Sequence, residues 1–137
     1  MTDQVHQTVK LEISGQVCLV DEDIAKLVER MNGVKGIHTF MSCQGSDLDC
    51  ADPISPGTFV GRAWISFQAN TEADFLRFRE SVEDLLFRSK SFCLVKLGRE
   101  YVPGMVKTEE RTSWYNLEIG CENEERRELL KFLGERL

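Results

Sequence analysis

Hydrophobic and polar positions along this chain fall into a two-residue rhythm in some stretches and a helical rhythm in others, and together they predict eight elements. Val9, Leu11 and Ile13 alternate with Lys10 and Glu12, as in a half-buried strand. Ser14-Gly15 breaks that strand, and 16–20 either returns as a hairpin arm or leads into a helix. Asp21 is placed to cap the helix, with Glu22 and Asp23 bringing negative charge to its first turn. Ile24, Leu27, Val28 and Met31 form one apolar stripe, and Asn32-Gly33 ends it. A second strand is predicted over 37–42. The third, over 59–68, alternates most strongly: Phe59, Ala63, Ile65 and Phe67 on one face, Arg62, Trp64, Ser66 and Gln68 on the other.

Thr71 caps the second helix, with Asp74 three residues on, and Phe75, Phe78, Val82, Leu85 and Leu86 are its buried stripe. Asp84 and Arg88 form a favourably ordered pair on its outer side. Strands follow over 92–97 and 113–119, and a last helix over about 123–136 buries Leu129, Leu130, Leu133 and Leu137. The order strand, helix, strand, strand, helix, strand begins as the split β-α-β-β-α-β arrangement does. The expected fold is therefore α+β: a two-layer, ferredoxin-like β-α-β-β-α-β core with an added C-terminal strand and helix, in a single domain over 1–137.

Strand phase leaves an unusual second face. If Ala63, Ile65 and Phe67 face the helices, the other phase gathers Phe40, Trp64 and Trp114 beside His38, Arg62 and Asn116. Such a face is covered by the terminal helix, paired with another subunit, or used to hold a ligand; cover within the chain is the commonest fate. Closed dimers dominate soluble oligomers, so self-association comes next.

Composition narrows the function classes. A hydrophobic fraction of 42% and a charged fraction of 29% are those of an ordinary soluble protein, and no apolar run approaches a membrane span. The N-terminus lacks the pattern of a secretory signal, which makes the cytoplasm the expected location. A net charge of −6 disfavours nucleic acid, and the densest basic pair, Arg126-Arg127, sits among glutamates. Five cysteines without a CxxC pair argue against a disulfide framework and for reduced thiols. Cys18, Cys93 and Cys121 lie in or beside apolar strands and read as small core hydrophobes.

Candidate chemistry concentrates between Gly36 and Gly57. The second strand delivers Ser42, Cys43, Gln44 and Gly45 to an acidic loop, 44–57, with Asp47, Asp49 and Asp52 and no basic residue. His38, Cys43 and Cys50 are ligand types suited to zinc, but the C-x6-C spacing matches no common module. His38 and Cys43 also point to opposite faces unless a bulge intervenes, so no metal is expected. Cys43 lacks the context of an activated nucleophile, and structural use is favoured. Residues 43–46 could wrap an anion with backbone N–H groups, although no phosphate-loop pattern is present.

Met31-Asn32 followed by Thr39-Phe40-Met41-Ser42-Cys43-Gln44-Gly45 resembles a motif of the wybutosine-synthesis tRNA methyltransferase family, in which a helix ending in Ile-Asn leads to a strand reading T-T-S-S-C-S-G-R. Asn32, Thr39, Ser42, Cys43 and Gly45 match; Ser46 stands where the family has arginine. The signature is also similar to one in small uncharacterised bacterial proteins. The resemblance implies a pocket near Ser42–Gly45 used in S-adenosylmethionine-dependent modification of a tRNA base, with Arg62 as an anion or substrate contact.

Two functions are therefore expected. The first is a small, non-catalytic binding or assembly module of unspecified ligand, a homodimer working through its sheet face or the loops 44–57 and 98–112. The alternative is a methyltransferase-like enzyme. Thr39, Ser42, Cys43, Gln44, Gly45 and Arg62 are the candidate ligand-binding residues.

Overall fold

A computed structural model describes residues 7–13, 15–44, 62–91, 93–100, 114–120 and 123–137. The elements are β1 (Thr8–Ile13), β2 (Gln16–Asp21), α1 (Glu22–Asn32), β3 (Ile37–Cys43), β4 (Arg62–Ala69), α2 (Glu72–Ser89), β5 (Leu94–Glu100), β6 (Trp114–Gly120) and α3 (Asn123–Arg136). The fold is α+β, with two antiparallel sheets and three helices.

β1 and β2 form a hairpin of their own, paired from Thr8↔Asp21 to Ile13↔Gln16. Gly15 sits at φ +79° in its turn, a conformation that glycine adopts without a Cβ penalty. The other sheet has the order β3-β4-β6-β5, all antiparallel. The first strand thus pairs locally and does not join the four-stranded sheet as a ferredoxin-like core would have it. Closing a tight hairpin costs far less chain entropy than recruiting β1 to a distant strand.

β3 carries one more residue than its partner. Thr39 stands opposite Phe67 and Met41 opposite Ser66, which leaves Phe40 as the bulge. Beyond it the phase is reversed: Ser42 pairs with Ile65, on the helix side, and Cys43 with Trp64, on the open side. Ser42 therefore shares a face with Thr39 rather than with His38. The bulge likewise brings His38 and Cys43 to one face, where an unbroken strand would separate them.

All three helices lie on one side. Ala63, Ile65, Phe67, Tyr115, Leu117 and Ile119 are buried beneath them, as the two-residue rhythm requires. Each such large side chain contributes roughly 1.5–3 kcal/mol on burial. Phe67 packs edge-on to Phe78, and Tyr115 stacks on Phe75 with ring centroids 3.8 Å apart. Phe75, Phe78, Val82 and Leu85 are buried, and Leu86 packs at the rim of the core. The Asp84–Arg88 pair forms at 3.2 Å.

α3 packs chiefly against α1 and also meets α2, joining the helix layer instead of covering the open sheet face. Gly134 makes this possible, because a Cβ there would press on the Leu27 backbone nitrogen and the Lys26 side chain. Arg30 Nε donates to the Gly134 carbonyl at 3.1 Å and locks the crossing. Leu129, Leu130 and Leu133 are buried and Leu137 packs against them. Among the described residues no element lies across the open face.

Two further details depart from expectation. β5 runs to Glu100, so Gly98 is a strand residue and not the start of a loop. Cys93 is disulfide-bonded, whereas Cys18 and Cys43 are reduced; its partner lies outside the described residues. Cys93 still packs against the core, but the disulfide removes one ground for a cytoplasmic location, since such bonds are rare there. Among the described residues no helix is long and apolar enough to cross a membrane.

The turn into β3 is the tightest point. Gly36 has φ +80°, and a Cβ there would overlap the Asp74 side chain. Thr71 Oγ1 accepts from the Asp74 backbone N–H at 3.1 Å, capping α2 as expected. Hydrogen bonding with the Thr71 side chain, opposed by burial and assisted by the Arg77 and Lys35 charges, holds the Asp74 carboxyl below its ordinary pKa. Gly36→Ala is expected to lower the unfolding free energy by about 2 kcal/mol or more, measured by urea denaturation. A lowered pKa stabilises the fold above the unfolded value of about 4 and is lost as pH falls through the folded one. The stability gap between the parent and Asp74→Asn should therefore close on acidification below about pH 4, and a gap that widens would contradict the assignment.

Candidate functional site

β2 and β3 are linked by α1 and run side by side at their C-terminal ends. Asp21 and Gln44 hold them there: the Gln44 N–H donates to Asp21 Oδ2 at 3.0 Å. A cleft of about 510 Å³ lies between the hairpin and the free edge of β3, and Ile13, Gln16 and Leu19 of the hairpin are part of its lining. Cys18 and Val20 line it from β2, and Val28 from α1. Across from them stand Thr39 and Ser42, the two residues that the bulge places on one face. Phe40, Met41 and Trp64 line it from the open side.

Thr39 is held by Asn32, the last residue of α1. Asn32 Oδ1 accepts from the Thr39 N–H at 3.0 Å, and Asn32 Nδ2 donates to Thr39 Oγ1 at 2.7 Å and to the Val28 carbonyl at 2.8 Å. Both amide hydrogens are thus committed, which fixes the amide's orientation. Since Thr39 Oγ1 accepts, its own hydrogen must go elsewhere, and the cleft is what it borders. Asn32 and Thr39 belong to the motif read from the sequence, and the structure brings them together.

Gln44 has another role. Its Oε1 accepts from the Asp23 N–H at 2.9 Å, so it caps α1 from 21 positions away. Asp21, the expected cap, makes no side-chain bond to the helix and holds the Gln44 N–H instead. The Gln44 carbonyl accepts from Arg126 Nε at 3.0 Å. Gln44 ties together β3, the start of α1 and α3, and it does not line the cleft.

Cys43 and Arg62 also stand apart from the cleft. Cys43 pairs with Trp64 on the open face. Arg62 shares that face, 3.7 Å from Glu118, beside a shallow depression of about 80 Å³ that Leu94 and Lys96 also line. Gly45 lies outside the described residues, as do Asp47, Asp49, Cys50 and Asp52. Of the six candidates, Thr39 and Ser42 share one cavity. Among the described residues no three of the His, Cys, Asp or Glu side chains are grouped to hold a metal ion.

Arg126, which the sequence presents only as one of a basic pair among glutamates, belongs to the core. It is 2% exposed, the largest of the fully buried side chains. Its spacing carried the signal: Arg126, Leu129, Leu130 and Leu133 fall at i, i+3, i+4 and i+7. Arg127, beside it, reaches Asp23 Oδ2 at 3.2 Å on the surface.

Comparisons of the chain with models of known families, with curated proteins and with solved structures gave no match. The site's chemistry therefore rests on its own geometry. Gln44→Ala removes the only side-chain cap of α1 among the described residues and should cost about 1 kcal/mol in chemical denaturation. Asp21→Ala should cost a comparable amount through the same knot, and the double variant less than the sum of the two.

Proposed function

We propose that this chain is a non-catalytic binding and assembly module that pairs with a second copy through its open face. The observation that supports this reading is the clustering of exposed apolar side chains on one side. Val17 and Leu19 are 70% and 69% exposed on the outer face of the hairpin, and Met41 and Phe40 are 56% and 48% exposed at β3. α1 packs against β1, β2 and β3, and Leu19 from the hairpin lines the same cleft as Phe40, Met41 and Trp64, so the exposed apolar groups of the two sheets lie near one another. Phe40 packs edge-on to Trp114, extending the apolar surface across the sheet. Contiguous apolar patches of this kind mark interaction surfaces.

Charge favours a second copy as the partner. The chain carries −6 overall, which makes two copies repel. On the outward side, however, Lys10 accompanies Glu12, and Arg62 and Lys96 accompany Glu118. Acids and bases nearly balance there, so two such faces can meet without the repulsion of the whole chain.

Methyl transfer draws less support. S-adenosylmethionine brings an ammonium, a carboxylate and a sulfonium, and buried charges need partners. The described lining of the cleft holds no acid, arginine, lysine or histidine, and its one ionisable group is the Cys18 thiol. Thr39 and Ser42 can hydrogen-bond a ligand but have no neighbouring base to take a proton.

Light scattering across a wide concentration range should show a monomer–dimer equilibrium. Val17→Glu with Leu19→Glu should shift it at least tenfold toward monomer while circular dichroism stays unchanged. A parent chain that remains monomeric up to millimolar concentration would overturn the assembly reading.

A further inference from the structure

We infer that the cleft between the hairpin and β3 is a binding site for a small, uncharged, largely apolar molecule that presents a carbonyl or ether oxygen to Thr39 and Ser42. This rests on the binding-module reading and names a ligand class for it; Leu19, Phe40 and Met41 line the cleft and belong to the outward apolar side as well, whereas Val17 does not line it.

Size and lining agree. About 510 Å³ lies within the range of sites that enclose small molecules. Cys18, Val20 and Val28 give it an apolar wall. No full charge stands in the described lining, so an ionic ligand would lose its hydration without compensation.

Two hydroxyls supply direction. Asn32 Nδ2 occupies Thr39 Oγ1 as a donor, which leaves the Thr39 hydrogen to be given away. Among the described residues the Ser42 side chain has no hydrogen-bond partner, and it lies half-buried on the same wall. An unbroken strand would turn one of these two residues to the opposite face. The bulge at Phe40 re-aims Ser42 so that both donors converge, a known use of bulges beside sites. Thr39 can only donate, and Ser42 and the Gln16 amide, which lines the same cleft, can donate alongside it, so an acceptor oxygen on an uncharged body is the group they suit together.

An extended peptide strand is the rival occupant, since β3 is an edge strand. The edge is already taken at both ends. Asn32 Oδ1 holds the Thr39 N–H, and Asp21 Oδ2 holds the Gln44 N–H, while the bulge disturbs the residues between. An added strand would find no regular ladder to join.

Nile red, an uncharged fused-ring dye with a carbonyl oxygen, is a suitable probe. Titrated with the full chain, it should show saturable fluorescence enhancement with one site per chain. Ser42→Ala should weaken binding about fivefold with no change in melting temperature, because that hydroxyl supports nothing in the fold. Thr39→Val should weaken it at least as much, with some loss of stability through Asn32. Val17→Glu, on the outer face, should leave dye affinity unchanged. The inference is overturned if the dye does not saturate, if Ser42→Ala and Thr39→Val bind as the parent does, or if Val17→Glu abolishes binding. It is also overturned if dye affinity falls as the chain is concentrated into a dimer, which would mean that a second copy fills the cleft. Light scattering judges the assembly reading separately, so a dimer that binds no dye sinks this inference alone.

Discussion

One surplus residue in β3 organises this molecule. Phe40 has no partner on β4, and every side chain after it changes sides. Thr39 and Ser42 consequently share the helix-side wall of the cleft, and Met41 joins Cys43 and Trp64 on the open face. Bulges of this kind persist only where surrounding contacts hold them. Here Asn32 does so, gripping both the backbone and the hydroxyl of Thr39 immediately before the irregularity. The end of α1 thus sets the register of an edge strand that would otherwise be free to slip.

At the other end of β3, Gln44 performs the matching task. A side chain that caps α1, a backbone N–H on Asp21 and a carbonyl on Arg126 together fix the point where β2, α1, β3 and α3 meet. Arg126 is buried, and a buried guanidinium must be hydrogen-bonded to be tolerated. Its bond to the Gln44 carbonyl draws α3 into the helix layer, and Gly134 lets that helix come close to α1. The open face is left uncovered by α3 for this reason. The same contacts that complete the core therefore leave α3 away from the exposed apolar side chains of β3.

Periodicity made much of this legible in advance. The stripes of α1 and α2, the buried row of β4 and the Thr71 cap are all local patterns, and each appears as the residues implied. What escaped was non-local. Nothing near Asp21 signals that its carboxylate would be used by a residue 23 positions later, with Gln44 taking over the cap. A bulge has no signature in Thr39-Phe40-Met41, where all residue types suit a regular strand, and an unbroken two-residue phase sets Ser42 with His38 and Phe40, whereas the structure pairs it with Ile65 on the helix side. Arg126 was hidden by its glutamate neighbours, although its helical spacing matched the leucines. The cleft itself lies between the hairpin and the edge of a separate sheet, an arrangement of chain segments rather than of residue types. Of the residues that carry the resemblance, Asn32 and Thr39 are joined by hydrogen bonds and Thr39 and Ser42 share a face, because they belong to one local helix-to-strand connection.

Edge protection explains why association through a face suits this chain better than association through β3. An edge strand with open N–H groups invites another strand, and proteins blunt such edges with bulges and side-chain caps. β3 has both: Asn32 and Asp21 occupy backbone donors at its ends, and Phe40 interrupts the ladder between them. No comparable device covers Val17, Leu19 and Met41, which remain more than half exposed on a side where charge is nearly balanced. Contact through side chains requires no ladder and tolerates the irregular strand. It also leaves the cleft's inner wall, with Thr39 and Ser42 turned toward the helices, outside the surface that two copies would share. The bulge turns Thr39 and Ser42 toward the helix side and Met41 toward the open side, although Phe40 and Met41 still border the same cleft.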